Sequence, residues 1–360
     1  MIVTPPRTRE ARPMFSTRTI GTAAAAVLVA SLSTALALPA VSTTAVAVAD
    51  ERPTAVVSLG DSAISGEGAG DYEPGTNGEN GDWCHRSANA LIHKTALADR
   101  TVNLACSGAD SANVSLADTT HYTEGSQARR LVRVATENRV TAVVLQVGAN
   151  DEPAFADTIV GCGLKWLNPF GGNCSDALTA QWPQRLAAMA PRVEQAITDV
   201  KAAMREAGYA DGSYRFVLTS YASPVTERMD PVTHGFDGCP LRLDDAEWGR
   251  TVAVPQFAEA LRGVADRSGV SFLDFSRATE GREACSGTTG SEWQNRLLVD
   301  LKAIETGGLD AIGIHLAQQS FHPNARAHAQ LGACVTEFVR SGAGSAACLA
   351  GADGALHAVS

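Results

Sequence analysis

Four short stretches hold the residues of this chain best suited to chemistry: "GDS" at 60–62, "CSGAD" at 106–110, "GAND" at 148–151 and "SFHPN" at 320–324. Ser62 offers a hydroxyl where the apolar run of Ala55, Val56, Val57 and Leu59 stops, although the triplet taken alone reads as an ordinary turn. A serine hydroxyl becomes a nucleophile only beside a base that takes its proton and donors aimed at the oxyanion that forms. Gly108 would let its backbone N–H approach a ligand with no side chain in the way. Asn150 carries a side-chain amide able to donate. His322 stands directly before Pro323, whose fixed φ suits the start of a helix and would aim the imidazole. Each has a bland explanation: a turn glycine, a capping Asn-Asp pair, one histidine of eight falling before a helix. Their order is the stronger signal. Each falls at the end of an apolar run or the start of the last helical pattern, and the carboxyl ends of strands are where a parallel sheet collects its site.

The elements that must position these residues repeat along the chain. Five apolar or β-branched runs, "AVVSLGD" (55–61), "TVNLACS" (101–107), "TAVVLQVGAND" (141–151), "RFVLTSYAS" (215–223) and "VSFLDF" (270–275), alternate with helical patterns. Such alternation predicts an α/β fold with a parallel sheet covered on both faces. Ala128, Leu131, Val132 and Ala135 make one helical stripe; Val193, Ile197, Val200 and Met204 make another, with Gly208 as its C-terminal cap. Two long insertions, 152–176 and 224–248, follow strands and read as pocket walls or as surface excursions held by a disulfide. Trp166, Leu167 and Phe170 are the candidate apolar lining.

The amino terminus reads as a secretory signal over 1–49. Arg7, Arg9, Arg12 and Arg18 precede an uncharged apolar stretch that ends in small residues at Ala47 and Ala49. A membrane anchor is the rival reading, disfavoured by the Ala, Ser and Thr content and the cleavage site. The whole chain carries a formal charge of −10; without a leader holding four arginines and one glutamate, 25 basic and 38 acidic residues remain, a charge of −13. That balance argues against nucleic acid and anionic membranes as partners. Residues 50–360 show no linker or repeat and read as one domain. Eight cysteines follow the signal, at 84, 106, 162, 174, 239, 285, 334 and 348, with no C-x-x-C, which points to disulfides rather than metal. Connectivity is open from sequence alone; the simplest expectation pairs neighbours, Cys84 with Cys106, Cys162 with Cys174, Cys239 with Cys285 and Cys334 with Cys348.

No G-x-S-x-G elbow occurs, which argues against an ordinary α/β-hydrolase. The four blocks "GDSAISG", "CSGAD", "GAND" and "FHPN", in that order, resemble the SGNH (GDSL) hydrolase superfamily, and "GDWCHRS" with the cysteines resembles its secreted actinobacterial esterase and lipase branch. The resemblance implies a three-layer flavodoxin-like fold with a central five-stranded parallel sheet. It also implies a secreted, monomeric hydrolase of carboxylic esters that needs no cofactor or metal. By that likeness Ser62 is the nucleophile and His322 the general base; the Ser62 and Gly108 N–H groups and the Asn150 amide form the oxyanion hole; and Asp61 fixes the turn. Many relatives carry an aspartate three residues before the histidine, where this chain has Gln319. Similarity to relatives with a Ser-His dyad implies a backbone carbonyl as the imidazole's acceptor, assigned here to Gln319, with Asp310 folding back as the competitor. Other readings of the same residues are a non-catalytic surface or glycan-binding protein, a sugar deacetylase, amidase or phospholipase, and a metal-dependent phosphatase built on Asp61, Asp151 and His322.

Overall fold

Buried residues fill both faces of β1 (Thr54–Gly60), the pattern of a strand inside a covered parallel sheet. The computed structural model describes residues 50–308 and 314–360, so the expected leader and Asp310 lie outside the described residues. β2 (Arg100–Asn103), β5 (Arg139–Gln146), β6 (Arg215–Thr219) and β7 (Ser271–Asp274) join β1 in the order β2-β1-β5-β6-β7, all parallel. A two-stranded ribbon, β3 (Thr120–His121) and β4 (Glu124–Gly125), stands apart. The five strands are the five runs read from the sequence, each shortened where its polar tail turns out of the sheet.

The sheet does not stop at five. β8 (Ser345–Ala350) adds parallel to β7, and β9 (Leu356–Val359) closes that edge antiparallel, giving seven strands. This corrects the five-stranded expectation. "SAACLA" and "LHAV" lack the β-branched run that marks the others, and pairing rather than propensity makes them strands.

Side-chain alternation sorts the core into two layers. Ala55, Val57 and Leu59 of β1 and Val143 and Leu145 of β5 face the helices Gln127–Glu137, Cys174–Glu206 and Val254–Ser268. Val56, Ala142 and Val144 face the helix Ala325–Ser341 and the turn at Leu91 and Ile92. Both helical stripes expected from sequence are in place. The second belongs to a helix that begins at Cys174, inside the first insertion. Gly208, at φ +90°, ends it in the left-handed region.

The first insertion is therefore a helix, Phe155–Trp166, a turn, and the first turn of the next helix. The Cys162–Cys174 disulfide closes that turn, Cys84–Cys106 ties the segment after Ser62 to the end of β2, Cys239–Cys285 pins the second insertion, and Cys334–Cys348 joins the last helix to β8. The pairs are the sequence neighbours. Cys239–Cys285 spans 46 residues, the longest separation of the four, so replacing that pair with alanine is expected to cost the most, about 3 to 4 kcal/mol. Urea titration of the four double variants tests the ranking; a variant of Cys162 and Cys174, 12 residues apart, that loses more would refute the loop-length argument.

Candidate active site

Ser62 owes its position to a sharp exit from the sheet. Gly60 has φ +134°, and a Cβ there would lie 1.8 Å from the Gln146 carbonyl oxygen, so only glycine lets β1 and β5 stay paired to their ends. Asp61 then caps the one-turn helix Ser62–Ser65, its Oδ1 accepting from the Ala63 N–H at 3.1 Å. Its Oδ2 accepts from the Tyr221 hydroxyl. Burial pushes the Asp61 carboxyl up to about 7 against the pull of those bonds. Both oxygens of Asp61 are thus engaged in holding the turn.

The imidazole arrives from the other end of the chain. Residues 293–295 lie along 321–324: Asn295 N–H donates to the His322 carbonyl at 2.9 Å, Phe321 N–H to the Asn295 carbonyl at 3.0 Å, and Asn324 N–H to the Trp293 carbonyl at 2.9 Å. Asn324 caps the helix Ala325–Ser341, its side chain accepting from Arg326 and Ala327 N–H. So held, His322 Nε2 lies 2.8 Å from Ser62 Oγ. Its Nδ1 donates to the Ser320 carbonyl at 3.0 Å. The expected acceptor, Gln319, is corrected by one residue. Phe321 takes φ +59°, and this turn swings the carbonyl two residues before the histidine toward the ring. The Gln319 carbonyl accepts from the Asn295 amide at 3.3 Å, and its side chain donates to Asp300 at 2.7 Å. Burial lowers the His322 pKa below the ordinary 6.5, opposed by the negative charge of Glu67 and the Ser320 bond. The ring is therefore neutral at pH 7 and accepts at Nε2.

The other two blocks meet each other beside the end of β1. Cys106 N–H donates to the Gly60 carbonyl at 3.1 Å, which draws the Gly108 loop against the Ser62 turn. Gly108 is exposed with φ +80°, and a Cβ there would lie 3.3 Å from both His121 Nε2 and the Tyr122 hydroxyl. Asn150 spends one amide hydrogen on the Ala109 carbonyl at 2.9 Å. Asp151 Oδ2 accepts from the Ser111 N–H at 3.1 Å and hydroxyl at 2.8 Å, doubling the link between the two loops. Burial raises the Asp151 pKa to about 6. Among the described residues, Asp61, Asp151 and His322, the expected alternative for a metal, do not bring their ligand atoms together. Among the described residues the ligand-atom clusters are Cys84, Cys106 and Glu124, and Cys162, Cys174 and Asp245, and each contains a disulfide.

Both insertions wall an apolar pocket, through Phe155, Ile159, Val225, Leu241 and Trp248, and Trp182 also lines it. Phe321, next to His322, packs on the cluster that contains Val225 and Leu241. The lining residues differ from those expected. Phe155, Ile159 and Cys162 recur at helical spacing and turn inward, which leaves Leu167 at 66% and Phe170 at 97% exposure, while Trp166 meets His234 and Phe236 edge-on. The spacing in "FADTIVGC" carried that signal. No helix among the described residues is long and apolar enough to cross a membrane.

Residues 58–330 match the GDSL-like Lipase/Acylhydrolase family. Lipase 2 of Streptomyces coelicolor is 26% identical over 247 residues, which cover 67% of this chain and 76% of that protein. Two solved structures share the fold. Phospholipase A1 of Streptomyces albidoflavus NA297 has a TM-score of 0.52 and 21% identity, covering 80% of this chain and 99% of its own. The extracellular lipase of Streptomyces rimosus has a TM-score of 0.52 and 22% identity, covering 76% and 94%.

Proposed function

The chain belongs to the GDSL-like lipase/acylhydrolase family and is an ester hydrolase, and we propose that it is secreted and cleaves carboxylic esters through a Ser62 acyl-enzyme with His322 as general base. The 2.8 Å contact between Ser62 Oγ and His322 Nε2 carries this reading. Oγ attacks the ester carbonyl as its proton passes to Nε2, and the tetrahedral oxyanion takes hydrogen bonds from the Ser62 and Gly108 N–H groups and the second amide hydrogen of Asn150. Collapse expels the alcohol, which leaves with the proton from Nε2. Water then attacks the acyl-serine, His322 takes and returns a proton, and the carboxylic acid departs. The Ser320 carbonyl holds Nδ1–H throughout and keeps the tautomer. The apolar pocket between the two insertions supports an acyl chain as a group the protein binds. Four disulfides, the basic and apolar leader and an extracellular relative support secretion.

A fluorophosphonate that phosphonylates an activated serine is expected to label Ser62 alone, read by peptide mass spectrometry, and a nitrophenyl ester series should turn over faster as the acyl chain grows beyond acetate. Labelling without turnover of any ester, phospholipid or acetylated sugar would favour the non-catalytic reading. Preference for acetylated sugar would make it a deacetylase working with the same residues.

The acidic limb of kcat/KM reports the free imidazole. It is expected below pH 6.5, because burial outweighs the groups that favour imidazolium. Since the Nδ1 acceptor is a main-chain carbonyl, Gln319→Ala should keep most of the activity and leave that limb in place. A limb at or above 6.5, or a Gln319→Ala enzyme as impaired as His322→Ala, would mean that a side-chain acid serves the imidazole.

A further inference from the structure

Five residues after Ser62, the carboxylate of Glu67 is wholly buried and takes no part in the steps above. His85 Nδ1 lies 2.9 and 2.7 Å from its two oxygens, and the Tyr72 hydroxyl donates to Oε1 at 3.3 Å while accepting the Gly68 N–H at 3.0 Å. The Tyr72 ring stacks on the His85 ring with centroids 4.3 Å apart. His85 belongs to "GDWCHRS", a motif the hydrolytic mechanism leaves unused. Its Nε2 is buried with no hydrogen-bond partner among the described residues. Burial works to raise the Glu67 pKa, but His85, His322 and the Ser107 hydroxyl together hold it below its ordinary value, so the carboxylate stays ionised.

The segment that carries this charge is packed against the working histidine. Glu67 N–H donates to the Ser62 carbonyl at 3.2 Å. At Gly68 a Cβ would lie 3.1 Å from His322 Cβ, and the Asn295 amide bridges the Gly68 carbonyl at 2.8 Å and the Gln319 carbonyl at 3.3 Å. Residues 67–68 are thereby clamped to the loop that carries His322.

We propose that Glu67 is the positioning residue for His322, supplying through space the fixed negative charge that the Ser62–His322 pair lacks, while His85 and Tyr72 hold the carboxylate in place. The Ser320 carbonyl orients the ring but brings only a partial charge, and imidazolium exists only once Ser62 has given up its proton. A carboxylate fixed in a low-dielectric interior therefore favours the transition state over the ground state. Glu67 is the main influence raising the His322 pKa against burial. The other titratable side chains acting on His322 are His85 and, from the helix Ala325–Ser341, His328, which burial lowers to about 3 and so keeps neutral. Asp300 is taken up by the Gln319 side chain.

This proposal rests on the Ser62–His322 reading, and the test separates the two. Glu67→Gln keeps the shape and an acceptor for His85 but removes the charge. It is expected to lower kcat by about 10- to 100-fold with KM within about twofold. Its acidic limb should move to lower pH by about one unit, because imidazolium has lost its stabilising charge. Glu67→Asp should restore the limb toward wild type. If Glu67→Gln does not fold, the double variant Glu67→Gln/His85→Gln exchanges the pair for two neutral amides and should show the same downward shift. A merely structural role would reduce the folded fraction and leave the limb unmoved. Activity surviving in Ser62→Ala overturns the dyad and this proposal together. An inactive Ser62→Ala with an unmoved limb and unchanged kcat in the folded, charge-free variant overturns this proposal alone.

Discussion

Replacing Ser62 with alanine is expected to lower kcat for a soluble nitrophenyl ester by about four orders of magnitude or more, and His322→Ala by a comparable factor. On the proposed mechanism the two side chains act as one device: without Oγ there is no acyl-enzyme, and without Nε2 at 2.8 Å the hydroxyl keeps its proton at neutral pH. The double variant should therefore be no worse than the poorer single variant, the non-additivity of groups that work as a unit. Whatever rate remains would come from the oxyanion donors and from binding. Ser62 is only half-buried and the substitution removes a single oxygen, so Ser62→Ala should melt within a few degrees of wild type. Steady-state rates on protein shown to be folded by its melting curve, with loss of fluorophosphonate labelling as a second readout, decide the matter. A Ser62→Ala rate within about tenfold of wild type, or losses that multiply in the double variant, would mean that another group opens the ester.

What could be read in advance followed from local chemistry. The five central strands are apolar runs, and the polar residues that follow β1, β2 and β5 put Ser62, Gly108 and Asn150 at the carboxyl ends of adjacent strands. The two edge strands were hidden because "SAACLA" and "LHAV" become strands only by pairing with β7 and with each other. The helix Phe155–Trp166 was hidden by the glycines and proline that surround it, although its inward face recurs at helical spacing. At the histidine the family resemblance implied a backbone acceptor, but a one-residue difference depends on the φ of Phe321, which no side-chain pattern encodes. Glu67 was invisible for another reason. Glu67 lies in a glycine-rich stretch with no periodicity to mark it as buried, and only the fold brings His85 and Tyr72 over its carboxylate. Pairings across sequence and main-chain turns were the illegible part; periodicity and turn chemistry were the legible part.

Asn150→Ala is expected to lower kcat by about 100- to 1000-fold, the usual loss of one oxyanion donor, with little change in KM. The half-buried amide sits in the loop after β5, where the Ala109 carbonyl takes one of its hydrogens at 2.9 Å and fixes its plane. On the proposed mechanism the other hydrogen is left for an oxygen that becomes strongly charged only in the transition state, so its removal should appear in kcat rather than in substrate binding. Truncation also cuts the tie to Ala109, which would free Gly108 to move were that the sole link. Asp151 answers this, since its two bonds to Ser111 keep the Gly108 loop on the β5 loop in the variant. Asn150→Asp separates position from chemistry. It matches the amide in shape, but an ionised carboxylate would repel both the Ala109 carbonyl and the developing oxyanion, so its kcat should fall below that of Asn150→Ala. Rates for both variants on one short-chain ester, with the melting temperature of each, make the comparison. If Asn150→Asp is the more active of the two, or if Asn150→Ala changes KM far more than kcat, the amide is a loop tether and the oxyanion must be held by backbone N–H groups without it.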